Sequence, residues 1–183
     1  VPLTVLRNKK TMQVNITLVR YDESWSLIPR NYVAERAPYL VEGGFVIREL
    51  TGHYLKSHGS KWMGTVDPRL VHLYLTRQQQ PKQPGDRVVI LTGVLADPIN
   101  IGYQHLRNQI IETVNGETIR NIQDVFRIVQ RDGHIERMTI QSMDVEIVLD
   151  ADHLPAANRR LAQTYRIPAL RYEGPQNLQL REE

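Results

Sequence analysis

Residues 87–95 read RVVILTGVL. The stretch from Val88 to Leu91 carries no polar side chain and is rich in β-branched residues. It is bounded by the turn-forming Pro84-Gly85-Asp86 on one side and Asp97-Pro98 on the other. A run this short is a strand rather than a membrane span, and its apolarity places it at the centre of a sheet. Whatever else the chain does, it must supply neighbours for that strand.

Those neighbours are legible by period. Met12, Val14, Ile16 and Leu18 alternate with polar residues, and Leu3, Val5 and Leu6 precede them across Asn8-Lys9-Lys10. That pattern predicts a hairpin over residues 1–20. Phe45–Leu50 and Gln109–Val114 are further strands. Asn115-Gly116 is a tight turn into a short return strand at Thr118-Ile119. Met138–Met143 and Asp144–Leu149 form a last pair. Helices are expected from Asp67-Pro68 through Leu75, from Asn121 to Asp132, and over Pro155–Tyr165. The middle one is the best defined. Asn121 caps it, Asp124 favours its positive end, and Gly133 stops it. Residues 21–38 read as an irregular surface connection and QQQPKQPGD, 78–86, as an exposed loop. Short strands capped by two or three helices predict an α+β fold with a small, partly open β-barrel or sandwich.

Composition removes several classes of function. The 183 residues include no cysteine, so disulfides, thiol catalysis and thiolate metal sites are excluded. The net charge of +3 is spread out, with basic and acidic residues adjacent as in Arg131-Asp132 and Glu136-Arg137, so no nucleic-acid stripe is expected. No run is apolar enough for a membrane span. There is no nucleophile elbow and no phosphate-binding Gly-rich loop, so no catalytic residue and no cofactor is assigned. His53, His58 and His72 lack metal-ligand spacing, and Asp150–His153 reads as the entry to a helix; no metal is assigned. Asn15-Ile16-Thr17 matches a glycosylation sequon but lies within a strand pattern. The chain opens VPLTVLRNKK, without a Met or a signal-peptide pattern, and reads as a piece of a longer protein.

One feature asks for function. Gly43-Gly44 stands directly before Phe45-Val46-Ile47. Bare backbone ahead of a strand can present N–H groups to an anion. If the edge of Phe45–Leu50 is open, an extended peptide can add to it and place its terminal carboxylate on those amides. The opposite wall would be the helix stripe Ile122, Val125, Phe126 and Val129, spaced i, i+3, i+4 and i+7. Glu42 would repel such a carboxylate unless it points away. The same residues also suit a plain bend at the entry to the sheet, with the stripe filling the core.

The segment VNGETIRNIQDV at 114–125 resembles part of PDZ domains, and EGGFV at 42–46 resembles their carboxylate-binding loop. Together with Pro38-Tyr39-Leu40, VVILTGVLADPINIGY (88–103) and TYRIPALRY (164–172), these pieces are similar, in the same order, to the C-terminal PDZ region of HtrA/Deg trypsin-like serine proteases. The likeness is strongest to the plant Deg group and its bacterial relatives. It implies a PDZ-like domain over 38–172, preceded by a hairpin and connecting segment over 1–37 and followed by a polar tail over 173–183. It implies a non-catalytic module of a serine endopeptidase, with Gly43, Gly44, Phe45, Val46 and Ile47 receiving a peptide or protein segment, a free C-terminus included. The alternative is a structural oligomerisation module whose groove is covered by its own or a neighbouring chain. The parent's own protease domain or a neighbouring subunit is then a partner. The expected compartment is the bacterial cell envelope, with an organelle second.

Overall fold

The computed structural model describes residues 1–18, 25–30, 37–77, 80–141 and 146–174. Parts of the expected 21–38 connection, the 78–86 loop, the junction of the Met138–Leu149 strands and the tail beyond Gly174 lie outside these residues.

The described residues form ten strands and five α-helices, a mixed α+β fold whose sheets stay open. Strands β1 (Pro2–Arg7) and β2 (Lys10–Asn15) pair only with each other. Asn8 and Lys9, at φ 52° and 61°, turn the hairpin. The expected half-buried face is absent: Leu6 is 74% and Met12 45% exposed.

The main sheet contains β3 (Tyr39–Glu42), β4 (Phe45–Glu49), β5 (Val89–Val94), β6 (Gln109–Val114), β7 (Glu117–Thr118), β8 (Arg137–Ile140), β9 (Glu146–Val148) and β10 (Arg171–Tyr172). Its order is β10-β3-β4-β5-β6-β8-β9, with β7 folded onto β6, and every pairing is antiparallel. The apolar run at 87–95 is the central strand, as its composition requires. Its side chains divide between two cores. Val89 and Leu91 join Phe45, Ile47 and Leu149 in one, together with α4 (Ile122–Asp132) and α5 (Leu154–Thr164). Ile90 joins Leu50 in the other, with Ile28 and with α1 (Gly52–Lys56), α2 (Trp62–Thr65) and α3 (Pro68–Arg77). A strand covered on both faces loses the apolar–polar alternation of a half-exposed one.

The helix ends follow the local chemistry. Asn121 accepts from the Asp124 N–H, and Gly133, at φ 87°, donates its N–H to Val129 O. Ile122 N–H, one of the orphan donors at the start of α4, is taken by the buried Glu49 carboxylate at 3.1 Å. That bond ties the helix to the end of β4. Asn115 and Gly116 form the expected left-handed turn at φ 48° and 82°. The Asn115 side chain then bonds Asp132, His134 O and the N–H groups of Glu136 and Arg137, joining the turn to the end of α4 and the start of β8.

Candidate functional site

The glycine doublet closes the β3–β4 hairpin. Gly43 and Gly44 have φ 55° and 89°, and Glu42 faces Phe45 across the turn. Two successive left-handed residues make a type I′ turn, whose twist matches the flanking strands. The backbone is also approached closely. A Cβ on Gly44 would lie 2.3 Å from Leu95 O and 2.4 Å from Asn100 Nδ2. Asn100 is fully buried in a 3-10 turn at Pro98–Asn100, and its Nδ2 donates to Gly43 O at 2.7 Å and Leu95 O at 2.8 Å. Gly44 O accepts from Leu95 N–H at 2.8 Å. The Gly43 N–H, expected to meet a carboxylate, donates to Asn158 Oδ1 of α5 at 2.8 Å.

The strand after the doublet is not an edge. β4 is laddered to β3 on one side and to β5 on the other. The expected open rim along Phe45–Leu50 is therefore corrected. Phe45 and Ile47 are fully buried core residues, and Val46 is half-buried, with its carbonyl accepting from Thr92 Oγ1 at a bulge in the β4–β5 ladder.

The outer edge of the hairpin belongs to β3, and the chain fills that edge with its own late segment. β10 pairs antiparallel with β3, Arg171 opposite Leu40 and Tyr172 opposite Tyr39. Val41 N–H donates to Leu170 O at 2.6 Å, and the Tyr39 hydroxyl donates to Ala169 O at 2.8 Å. The Tyr39 and Tyr172 rings lie 6.2 Å apart. On the other flank of β10 stands α4. The Arg171 guanidinium lies 4.7 Å from the centre of the Phe126 ring and donates to Phe126 O at 3.5 Å. Gln123 Nε2 reaches Glu173 O at 3.5 Å. Residues 169–173 thus lie in a groove whose floor is β3 and whose wall is α4.

Of the expected helix residues, Ile122, Val125 and Phe126 are buried and Val129 is half-buried against the same core. Phe126 meets the strand in the groove through the Arg171 guanidinium. Ile128, off the expected stripe, is fully buried.

Glu42 does point away from solvent. It is 4% exposed, and its Oε1 accepts from Ile135 N–H at 3.3 Å. Burial pushes its carboxyl up to about 7, against the opposing pulls of the Ile135 N–H and the Arg171 charge. Asp97 behaves oppositely. Arg160 of α5 grips it through two bonds at 2.7 and 3.1 Å while its Oδ1 caps the 3-10 turn, and its carboxyl is held below the usual range. That clamp ties α5 to the loop behind the glycine turn.

Sequence reasoning missed β3, β10 and the second layer of the site. A Gly-Gly pair between Tyr39–Glu42 and Phe45–Glu49 is itself a two-residue hairpin signal. Asp97-Pro98 with Asn100 is a capping pattern that could have found the 3-10 turn. Nothing in the sequence marks Asn158 as the partner of Gly43. His58 sits edge-on to Tyr54, and His53 and His72 are exposed. His153 pairs with Asp150 at 2.7 Å just before α5. Among the described residues no three His, Asp or Glu side chains group as a metal site would need, and no helix is long and apolar enough to cross a membrane.

A sheet edge beside a helix, with an extended segment laid along it, is the geometry of this site. Residues 28–173 match the PDZ domain family, and the chain belongs to it. It is homologous to plant Do-like proteases: it is 26% identical over 170 residues to the mitochondrial protein Do-like 3 of Arabidopsis thaliana, covering 91% of this chain and 27% of that protein. It is 28% identical over 103 residues to the chloroplastic protease Do-like 2 of the same plant, covering 56% of this chain and 16% of that one. The chain therefore spans well under a third of the length of either relative.

Proposed function

We propose that this PDZ domain is a docking and regulatory module of a Deg/HtrA-type serine protease. It takes an extended segment as an added strand on the outer edge of β3, against α4. The observation that carries this reading is β10, a short strand from outside the hairpin that lies antiparallel on that edge with Phe126 behind it. Catalysis would belong to another part of the parent, since the relatives are several times longer than this chain. An organellar location is carried over from the mitochondrial and chloroplastic relatives and is checked by fractionation of the source cells.

The test removes the resident strand. A chain ending at Pro168 should leave the Val41 N–H, which bonds Leu170 O, open to solvent exchange. Adding an extended peptide should restore its protection. If Val41 exchange is unchanged by truncation, or no extended peptide in a diverse library slows it, strand addition at β3 is refuted.

One observation favours assembly as a second role. Among the described residues the β1–β2 hairpin pairs with no other strand, and it exposes Leu3, Leu6, Met12 and Ile16. An isolated two-stranded hairpin is marginal in water and gains stability from a partner surface. Light scattering on the parent protein with and without residues 1–18 tests this, and an unchanged mass counts against it.

A further inference from the structure

We propose that the β3–α4 groove recognises an internal segment carrying an arginine followed by an aromatic residue, without a terminal carboxylate, and that residues 169–174 hold the groove closed by presenting that same pattern in cis. The inference rests on the docking reading above and adds the chemistry of the occupant.

Residues 169–174 show the side chains and the path that an occupant takes. Arg171 stands opposite Leu40, so it faces the α4 side of β3, where its guanidinium lies over Phe126 at 4.7 Å. Its charge also acts on Glu42, two residues along the same face of β3. A planar cation over an aromatic ring, with a buried carboxyl nearby, selects arginine over an apolar side chain. Tyr172 alternates to the opposite face and stands across from Tyr39. Aromatic cross-strand pairs of this kind favour an aromatic at that position. Main-chain bonds from Val41 N–H and Tyr39 Oη hold the backbone whatever its side chains.

The absence of a carboxylate requirement follows from the turn. The Gly43 amide is spent on Asn158, and Gly44 is pressed against Leu95 O and Asn100. The resident strand also passes through the groove: after Glu173, Gly174 turns at φ 100° beside Pro38 and the chain goes on. A segment in the middle of a chain therefore fits as well as its end.

The experiment uses the full 183-residue chain and the peptide PALRYEG, capped by acetyl and amide, with a fluorescent label. In the opened protein, Arg171→Ala with Tyr172→Ala, the capped peptide should bind at least about ten-fold tighter than in the wild type, where the tethered segment competes at a high effective concentration. Replacing the peptide's arginine by alanine should cost about ten-fold, and Phe126→Leu in the opened protein should erase that difference. Arg171→Ala alone keeps the main-chain ladder, and should the double variant fail to fold it must still bind the capped peptide more tightly than the wild type does. If only the peptide with a free C-terminal carboxylate binds, the internal-segment inference is overturned and strand addition stands. If neither peptide binds, both fall. Equal binding of the alanine peptide overturns the arginine site, and a wild-type chain that exchanges segment 169–174 with a second copy, seen as a concentration-dependent dimer, overturns a foreign occupant.

Discussion

Replacing Gly44 by alanine should unfold this domain far more readily than the same change at any open glycine. Two costs combine. A left-handed backbone costs an L-residue about 1–2 kcal/mol, and Gly44 sits at φ 89°. The added Cβ would also meet Leu95 O at 2.3 Å and Asn100 Nδ2 at 2.4 Å. Relieving that overlap moves the Asn100 amide, whose bonds to Gly43 O and Leu95 O are both under 3 Å, the first buried and the second partly so. Leaving one such buried group unsatisfied costs about 1–3 kcal/mol. The sum is about 2–5 kcal/mol, a large share of the roughly 5–15 kcal/mol that holds a domain folded. Gly133 is the control: its φ is 87°, but a Cβ there meets nothing within 4 Å. Gly133→Ala should cost only about 1–2 kcal/mol. Urea titrations at fixed pH read both values. Asn100→Ala combined with Gly44→Ala should be less destabilising than the sum of the single changes, because they damage the same contact. A Gly44→Ala cost no greater than that of Gly133→Ala would refute the claim that the doublet is bare for the fold's own sake.

Glu42 should make stability fall as pH rises. Its unfolded carboxyl titrates near 4.5 and its folded one at about 7. Between those values the folded state keeps a proton that the unfolded state releases, a loss on the order of 3 kcal/mol by neutral pH. Glu42→Gln should flatten the stability curve across that window, and superimposable wild-type and variant curves would count against it. Asp97 has the opposite sign. Its depressed carboxyl stabilises above about 3.8 and loses that contribution as pH falls through the lower folded value. Asp97→Ala, which removes the cap and the ion pair together, should cost about 2–3 kcal/mol. Arg160→Ala should cost less, because that side chain is half-exposed. Equal losses for the two would show that the cap contributes nothing. In hydrogen exchange, amides of β1 and β2 should exchange well before those of β5, since the hairpin has almost no buried side chain; matched protection would place the hairpin in the cooperative core.

Elements defined by nearby residues were legible in the sequence. α4 runs from its Asn121 cap to its Gly133 stop, and β6 ends at the Asn115-Gly116 turn. Each depends on contacts within a few positions. β10 is two residues long and carries no period of its own. It is a strand only because β3, 130 positions away at the Tyr39–Ala169 bond, offers it an edge. β3 shows in the sequence only when Gly43-Gly44 is taken as a two-residue hairpin turn. The doublet does need bare backbone, and the cause lies in Asn100 and Leu95, which approach it from another part of the chain. Burial of the first hairpin failed for a related reason. Alternation marks which side of a strand could be covered, and only another element can cover it.

On the docking proposed above, the tight turn also decides which strand edge is available. A two-residue connection forces β3 and β4 to be neighbours, and β5 takes the other side of β4. That leaves β3's outer side as the hairpin's unpaired side, and an uncovered edge invites pairing with other chains. Two of β10's residues suffice to cover it, because Arg171 adds the Phe126 contact and Val41 N–H adds a main-chain bond beyond the ladder. So short a strand is held by few interactions, and a competing segment needs only to match those few. The same brevity that hides β10 from a sequence reading makes it, on the docking proposed above, a strand that a competing segment can replace.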